Sequence, residues 1–79
     1  MEGELQRRLG RQLRRRRLEL GLSQEAFADV LDVHRTYMGG IERGERNLTL
    51  RTVERLAERL GVDPLDLMSH DATEAHRPS

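Results

Sequence analysis

QEAFADVLDVHRTYMGGIER, residues 24–43, carries two short apolar repeats on either side of a break, and that spacing reads as a helix-turn-helix. Apolar or small residues fall at Ala28, Val30, Leu31, Val33, Met38 and Ile41. Ala28 with Leu31, and Met38 with Ile41, keep the three-to-four-residue period of amphipathic helices, while Val33 stands alone between them. Ser23 precedes the first repeat at the position of an N-cap, and Gln24 and Glu25 open the first turn. Glycine is the usual occupant of so sharp a turn. Here the turn has Asp32, which enters the left-handed region more readily than most residues. The pattern makes sequence-specific DNA binding the leading function, with the rest of the chain as its support.

Composition narrows the alternatives. Seventy-nine residues make one small domain with a modest core, which leaves little room for an enzyme pocket and a second domain. Cysteine is absent, so neither disulfides nor thiolate metal sites hold the fold, and a reducing cytoplasm suits it. No apolar run approaches the roughly 20 residues that span a bilayer, and no signal-peptide pattern opens the chain, so the expectation is a soluble cytoplasmic protein with no membrane partner. A formal charge of zero argues at first sight against a polyanion, because affinity for phosphates comes largely from Lys and Arg. Distribution is more informative than the sum. All 14 basic residues are Arg, and seven lie between Arg7 and Arg17 with no acid among them. Residues 1–46 hold ten Arg against eight acids (+2), and residues 47–79 hold four against six (−2).

The spacing predicts an all-α chain of five helices. Helix 1 runs from Gly3 or Glu4 to Leu20, with Leu5, Leu9, Leu13 and Leu20 on one stripe and Gly21 as its stop. Helices 2 and 3 occupy Ser23–Leu31 and His34–Arg43, with Gly44 following. Helix 4 starts after the N-cap Thr49, repeats Leu50, Val53, Leu56, Ala57 and Leu60, and stops at Gly61. Asp63-Pro64 supplies an N-cap and a first-turn proline for a short helix 5 ending near Met68. Residues 1–68 thus form the domain. Residues 69–79 contain no large apolar side chain and read as a disordered tail.

From about Leu9 to Leu67 the chain resembles the lambda-repressor-like five-helix DNA-binding domains of the XRE type, and HRTYMGGIERGERNLTL, residues 34–50, is especially similar to the small controller proteins of bacterial restriction-modification systems. The resemblance implies homodimers on inverted half-sites upstream of the controller and endonuclease genes, activating at low occupancy and repressing at high. RNA polymerase and a second dimer on an adjacent site become candidate partners. It also implies that Arg43, Arg46 and Asn47, in or beside the loop after helix 3, grip backbone or probe the minor groove. Arg46 is preferred, since Arg43 also suits the negative end of helix 3. Arg17 and Glu42 match positions that pair in this family, tying helix 1 to helix 3.

Individual residues carry separate roles, each with a plainer competitor. With Met38 and Ile41 turned to the core, Arg35, Thr36 and Gly39 face outward. Arg35 can pair bidentately with guanine, worth ~1–3 kcal/mol of discrimination, and Thr36 can touch a thymine methyl or a phosphate. The competitor for Arg35 is a merely solvated side chain. Tyr37 either reaches DNA through its hydroxyl or packs between helices. Gly39-Gly40 in mid-helix costs roughly 2 kcal/mol relative to Ala-Ala, offset by close approach of either a DNA strand or a neighbouring helix. Ser23 and Gln24 stand where exposed amides suit a phosphate oxygen, and Ser23 also suits simple capping. His34 takes the N-cap of helix 3, next to the groove. Arg14–Arg17 otherwise reads as a solvated face with some members near phosphate.

Val62, Leu65, Leu67 and Met68 offer more apolar surface than a short terminal helix hides, which suggests pairing across a two-fold axis with the reading helices ~34 Å apart. Ordinary core packing is the competitor. No catalytic residue, metal site or cofactor emerges: His34, His70 and His76 lack ligand spacing, and Gly39-Gly40 lacks the strand and Lys of a nucleotide loop. The alternatives are a phage-type or antitoxin-type repressor of the same fold, and a protein-interaction module for which zero net charge is the best support.

Overall fold

The computed structural model describes residues 3–68; the tail expected at 69–79 lies outside them. The described residues are all-helical: α1 Glu4–Glu19, α2 Gln24–Leu31, α3 Arg35–Glu42, α4 Leu50–Leu60 and α5 Pro64–Met68.

Helices α2 to α5 each begin where a polar side chain replaces a missing backbone partner, whereas α1 starts after Gly3 without one. Ser23 Oγ accepts from Ala26 N–H at 3.1 Å, Thr49 Oγ1 from Thr52 N–H at 3.1 Å, and Asp63 Oδ1 from Leu65 N–H at 2.8 Å. At α3 the cap is His34, whose Nδ1 accepts from Thr36 N–H at 3.1 Å. The turn between α2 and α3 is made by Asp32 at φ 61°, the only non-glycine residue with positive φ among those described. Val33 N–H then donates back to the Ala28 carbonyl at 2.9 Å, which closes the end of α2 and redirects the chain. Arg59 of α4 adds a second closure, donating from Nε to the Val30 carbonyl at 3.1 Å and placing a cation at the negative end of α2.

The core gathers Leu9 and Leu13 of α1, Phe27, Ala28 and Leu31 of α2, Met38 and Ile41 of α3, Val53, Leu56 and Ala57 of α4, and Leu67 of α5. Phe27 is the largest fully buried side chain. It completes the buried face of α2, which the Ala28 and Leu31 spacing alone leaves incomplete. α1 crosses α3 closely because residue 10 lacks a side chain: a Cβ on Gly10 would lie 2.4 Å from the Ile41 carbonyl oxygen.

The apolar repeats of α1 and α4 overstate their buried faces. Leu5 and Leu20 are 54% and 58% exposed; α1 ends at Glu19, so Leu20 has left the helical period, and Leu5 lies a turn beyond the packed crossing. Leu50, the first residue of α4, is 72% exposed.

Candidate nucleic-acid interface

The angle between α2 and α3 is fixed from behind by one carboxylate. Glu42, at the end of α3, accepts from Arg17 Nε at 2.7 Å, from Arg17 Nη2 at 3.1 Å and from Gln24 Nε2 at 3.0 Å. Arg17 Nη1 also donates to the Leu22 carbonyl at 3.0 Å. Helix α1, the turn before α2, the start of α2 and the end of α3 therefore meet at one group. With the Glu42 and Arg17 side chains only 3% and 12% exposed, the pair is largely dry and each guanidinium nitrogen has an acceptor. Gln24 thus spends an amide hydrogen on Glu42.

In front of this anchor, Ser23, Gln24, Glu25, Arg35, Thr36, Gly39 and Arg43 line one open concavity. Arg35 and Thr36 are exposed in the first turn of α3, and the free end of α2 stands opposite. Gly39 forms the floor: a Cβ there would meet Arg43 Nη1 at 3.1 Å and Gln24 Oε1 at 3.6 Å. The three nearest atoms to that Cβ all belong to side chains, one of them from α2. The missing side chain lets Arg43 and Gln24 fold across α3.

A second group lies on the other flank of α3. Arg46 spans Gly40, where a Cβ would come within 2.9 Å of its Nε, and its guanidinium carbon sits 5.1 Å from the centre of the Tyr37 ring. Tyr37 is half-buried against the core and lines the cleft between the turn and α4 with Leu31, Val33, Thr52 and Leu56. Its ring packs in part between the turn and α4 and stays partly exposed. Asn47 stands apart: its Oδ1 accepts from Gln6 Nε2 at 3.1 Å, and it borders a groove with Leu5, Leu50 and Met68.

Two acidic residues join this surface without having been anticipated. Glu25 Oε1 lies 3.8 Å from Arg35 Nη1, and Glu45 Oε2 lies 3.2 Å from Arg43 Nε. No local pattern announces the first pair, which joins two helices through the turn. The second, two residues apart, was open to inspection.

Of the four residues expected to pair across a two-fold axis, Leu67 is fully buried in the core of the chain and is removed from that set. Val62 and Met68 pack partly against the core, while Leu65 is 72% exposed. Among the described residues no group of three or more His, Cys, Asp or Glu side chains is placed to hold a metal ion, and no helix is long and apolar enough to cross a membrane.

The helix-turn-helix family profile matches residues 13–67. The control protein C.BamHI of Bacillus amyloliquefaciens is 45% identical over 60 residues, covering 75% of this chain and 74% of that protein. Among solved structures, the restriction-modification controller protein C.AhdI from Aeromonas hydrophila superposes with a TM-score of 0.69 at 40% identity, covering 78% of this chain and 94% of that one. A hypothetical transcription factor from Neisseria superposes at 0.80 with 31% identity over 95% of this chain and 86% of that one. A capped helix pair with a left-handed turn, locked from behind by Arg17 and Glu42, belongs to a chain that matches these proteins over most of its length: it is a member of the helix-turn-helix family and groups within it with the small restriction-modification controller proteins.

Proposed function

We propose that this protein is a DNA-binding transcriptional regulator of the restriction-modification controller kind, which binds inverted-repeat operators as a homodimer and reads each half-site through α3. The observation that carries the reading is the convergence of Ser23, Gln24, Arg35, Thr36 and Arg43 on one concavity at the front of the helix pair. Arg35 is the base reader, because an exposed guanidinium in the first turn of the reading helix can present two donors to guanine. Thr36 contacts a thymine methyl or a phosphate. The Ser23 and Gln24 backbone at the open end of α2 receives a phosphate, and Arg43 and Arg46 hold the backbone on either flank. Tyr37 serves chiefly as a platform for Arg46, and His34 orders the first turn of α3.

The two-fold surface is revised by burial. Leu65 and Met68 lie one turn apart on α5, and Met68 shares its groove with Leu5 and Leu50. The exposed Leu5, Leu50 and Leu65, with the partly buried Met68 between them and Val62 at the edge, form the pairing surface. RNA polymerase and a neighbouring dimer remain partners of the proposal, and the cytoplasm its compartment.

The test is a selection from randomised duplex DNA followed by titration at two salt concentrations. The proposal expects an inverted repeat to emerge and its binding to weaken steeply with salt as counterions cease to drive association. A chain that binds no duplex in a salt-sensitive way would be an interaction module instead, the reading its zero net charge favours.

A further inference from the structure

All three arginines of the reading surface are occupied in the free protein. Arg43 is paired with Glu45 at 3.2 Å, Arg46 lies over Tyr37 at 5.1 Å, and Arg35 faces Glu25 at 3.8 Å. Two of the three positive charges offered to a polyanion are thus matched by carboxylates, while Arg46 keeps its charge over a neutral ring. A carboxylate beside phosphates opposes their binding, and that of Glu25 stands next to the base-reading arginine, where it acts on that arginine as well.

We infer that Glu25 is a positioning residue that keeps Arg35 directed at the base edges and away from the phosphate backbone, so that it sets the specificity of the protein. This rests on the DNA-binding reading given above. The Glu25 backbone is held on the first turn of α2, beside the cap Ser23 and the anchored Gln24, while its side chain is 71% exposed and reaches Arg35 at the front of the helix pair. The Arg35 side chain is 66% exposed and long enough to swing. A guanidinium has five N–H donors and spends two on guanine, which leaves others directed at Glu25 while the base is read. On a wrong sequence Arg35 gains only by moving to a phosphate, and that move abandons Glu25 unpaired beside the backbone. Glu25 thus penalises the non-specific complex more than the specific one. The alternative role for an acid at this position is to favour the positive end of α2, and that role appears in folding stability and not in base discrimination.

The experiment compares wild type, Glu25→Gln, Arg35→Ala and the double variant on a duplex selected by the wild-type protein and on a scrambled duplex of the same composition, with thermal midpoints measured alongside. Glu25→Gln should bind the scrambled duplex roughly three- to tenfold more tightly, the effect of freeing Arg35 for one screened phosphate contact. Its affinity for the selected duplex should change less than about twofold, so the ratio collapses. In the Arg35→Ala background the same change should leave the ratio unaltered, because no arginine remains to be steered. A Glu25→Gln protein that retains the full wild-type ratio, or one whose only change is a lower thermal midpoint, overturns the inference and leaves DNA binding intact. A selection from which the wild-type protein enriches no duplex overturns the DNA-binding reading and this inference together.

Discussion

At the scale of single residues, the positions that matter most are those where a side chain is missing or an unusual one is tolerated. Gly10 and Gly39 both lie within helices, yet they differ in what surrounds them. A methyl at residue 10 meets carbonyl oxygens of α3 at 2.4 and 2.7 Å, and backbone cannot step aside. Gly10→Ala should therefore separate α1 from α3 and cost more than the ~1–3 kcal/mol typical of overpacking, read as a fall in the denaturation midpoint. At residue 39 the methyl meets only the ends of the Arg43 and Gln24 side chains. Gly39→Ala should leave stability unchanged or raise it by up to ~1 kcal/mol through helix propensity, while weakening DNA binding by displacing Arg43. Asp32 pays for its left-handed backbone, and Asp32→Gly should recover up to about 1 kcal/mol. A thermal melt of that variant below wild type would show that the Asp32 side chain contributes something beyond the turn.

At the scale of elements, the helix pair depends on a lock that the apolar pattern does not contain. Removing Arg17 alone leaves Glu42 buried with Gln24 as its only remaining side-chain donor among the described bonds, so Arg17→Met should destabilise by about 3–5 kcal/mol. Adding Glu42→Met should restore much of that loss, since an apolar pair suits a dry site, yet leave DNA affinity depressed because α3 is no longer held at its angle to α1 and α2. Equal affinity in the folded double variant would mean the pair has no role in aiming α3. Helix ends and the turn were legible in the sequence because they rest on local chemistry: Ser23, Thr49, Asp63-Pro64, Asp32 and Gly61 act on neighbours within four residues. Tertiary placement was less so. Leu5, Leu20 and Leu50 share the period of buried leucines but lie at helix ends with nothing packed over them. Leu67 and Leu65 are two residues apart on one short helix, and only the packing of α5 on α1 and α4 decides that the first is core and the second surface. The candidate site followed the same division: outward positions of α3 could be read from its inward ones, whereas the Glu25–Arg35 pair depends on the angle between two helices.

At the scale of the whole molecule, burial divides the apolar residues of α5 between folding and assembly. Leu67→Ala should cost about 2–5 kcal/mol of stability, visible in a chemical denaturation curve. Leu65→Glu should leave the fold unchanged and convert the proposed dimer to monomer in analytical ultracentrifugation, with cooperative operator binding lost; a Leu65→Glu protein that remains dimeric would place the two-fold surface elsewhere. Association and reading are linked by geometry, since two copies of α3 must span ~34 Å to enter successive major grooves. The most direct test of the account is the salt dependence of binding to the selected inverted repeat, wild type against Arg35→Ala and Arg46→Ala. Arg35→Ala should lose about 1–3 kcal/mol on the selected duplex and its preference for one base pair in each half-site, with little change on scrambled DNA. Arg46→Ala should weaken both duplexes alike and lower the salt slope by about one per lost phosphate contact. Equal losses on selected and scrambled DNA for Arg35→Ala, with base preference intact, would contradict the claim that α3 reads sequence through this residue.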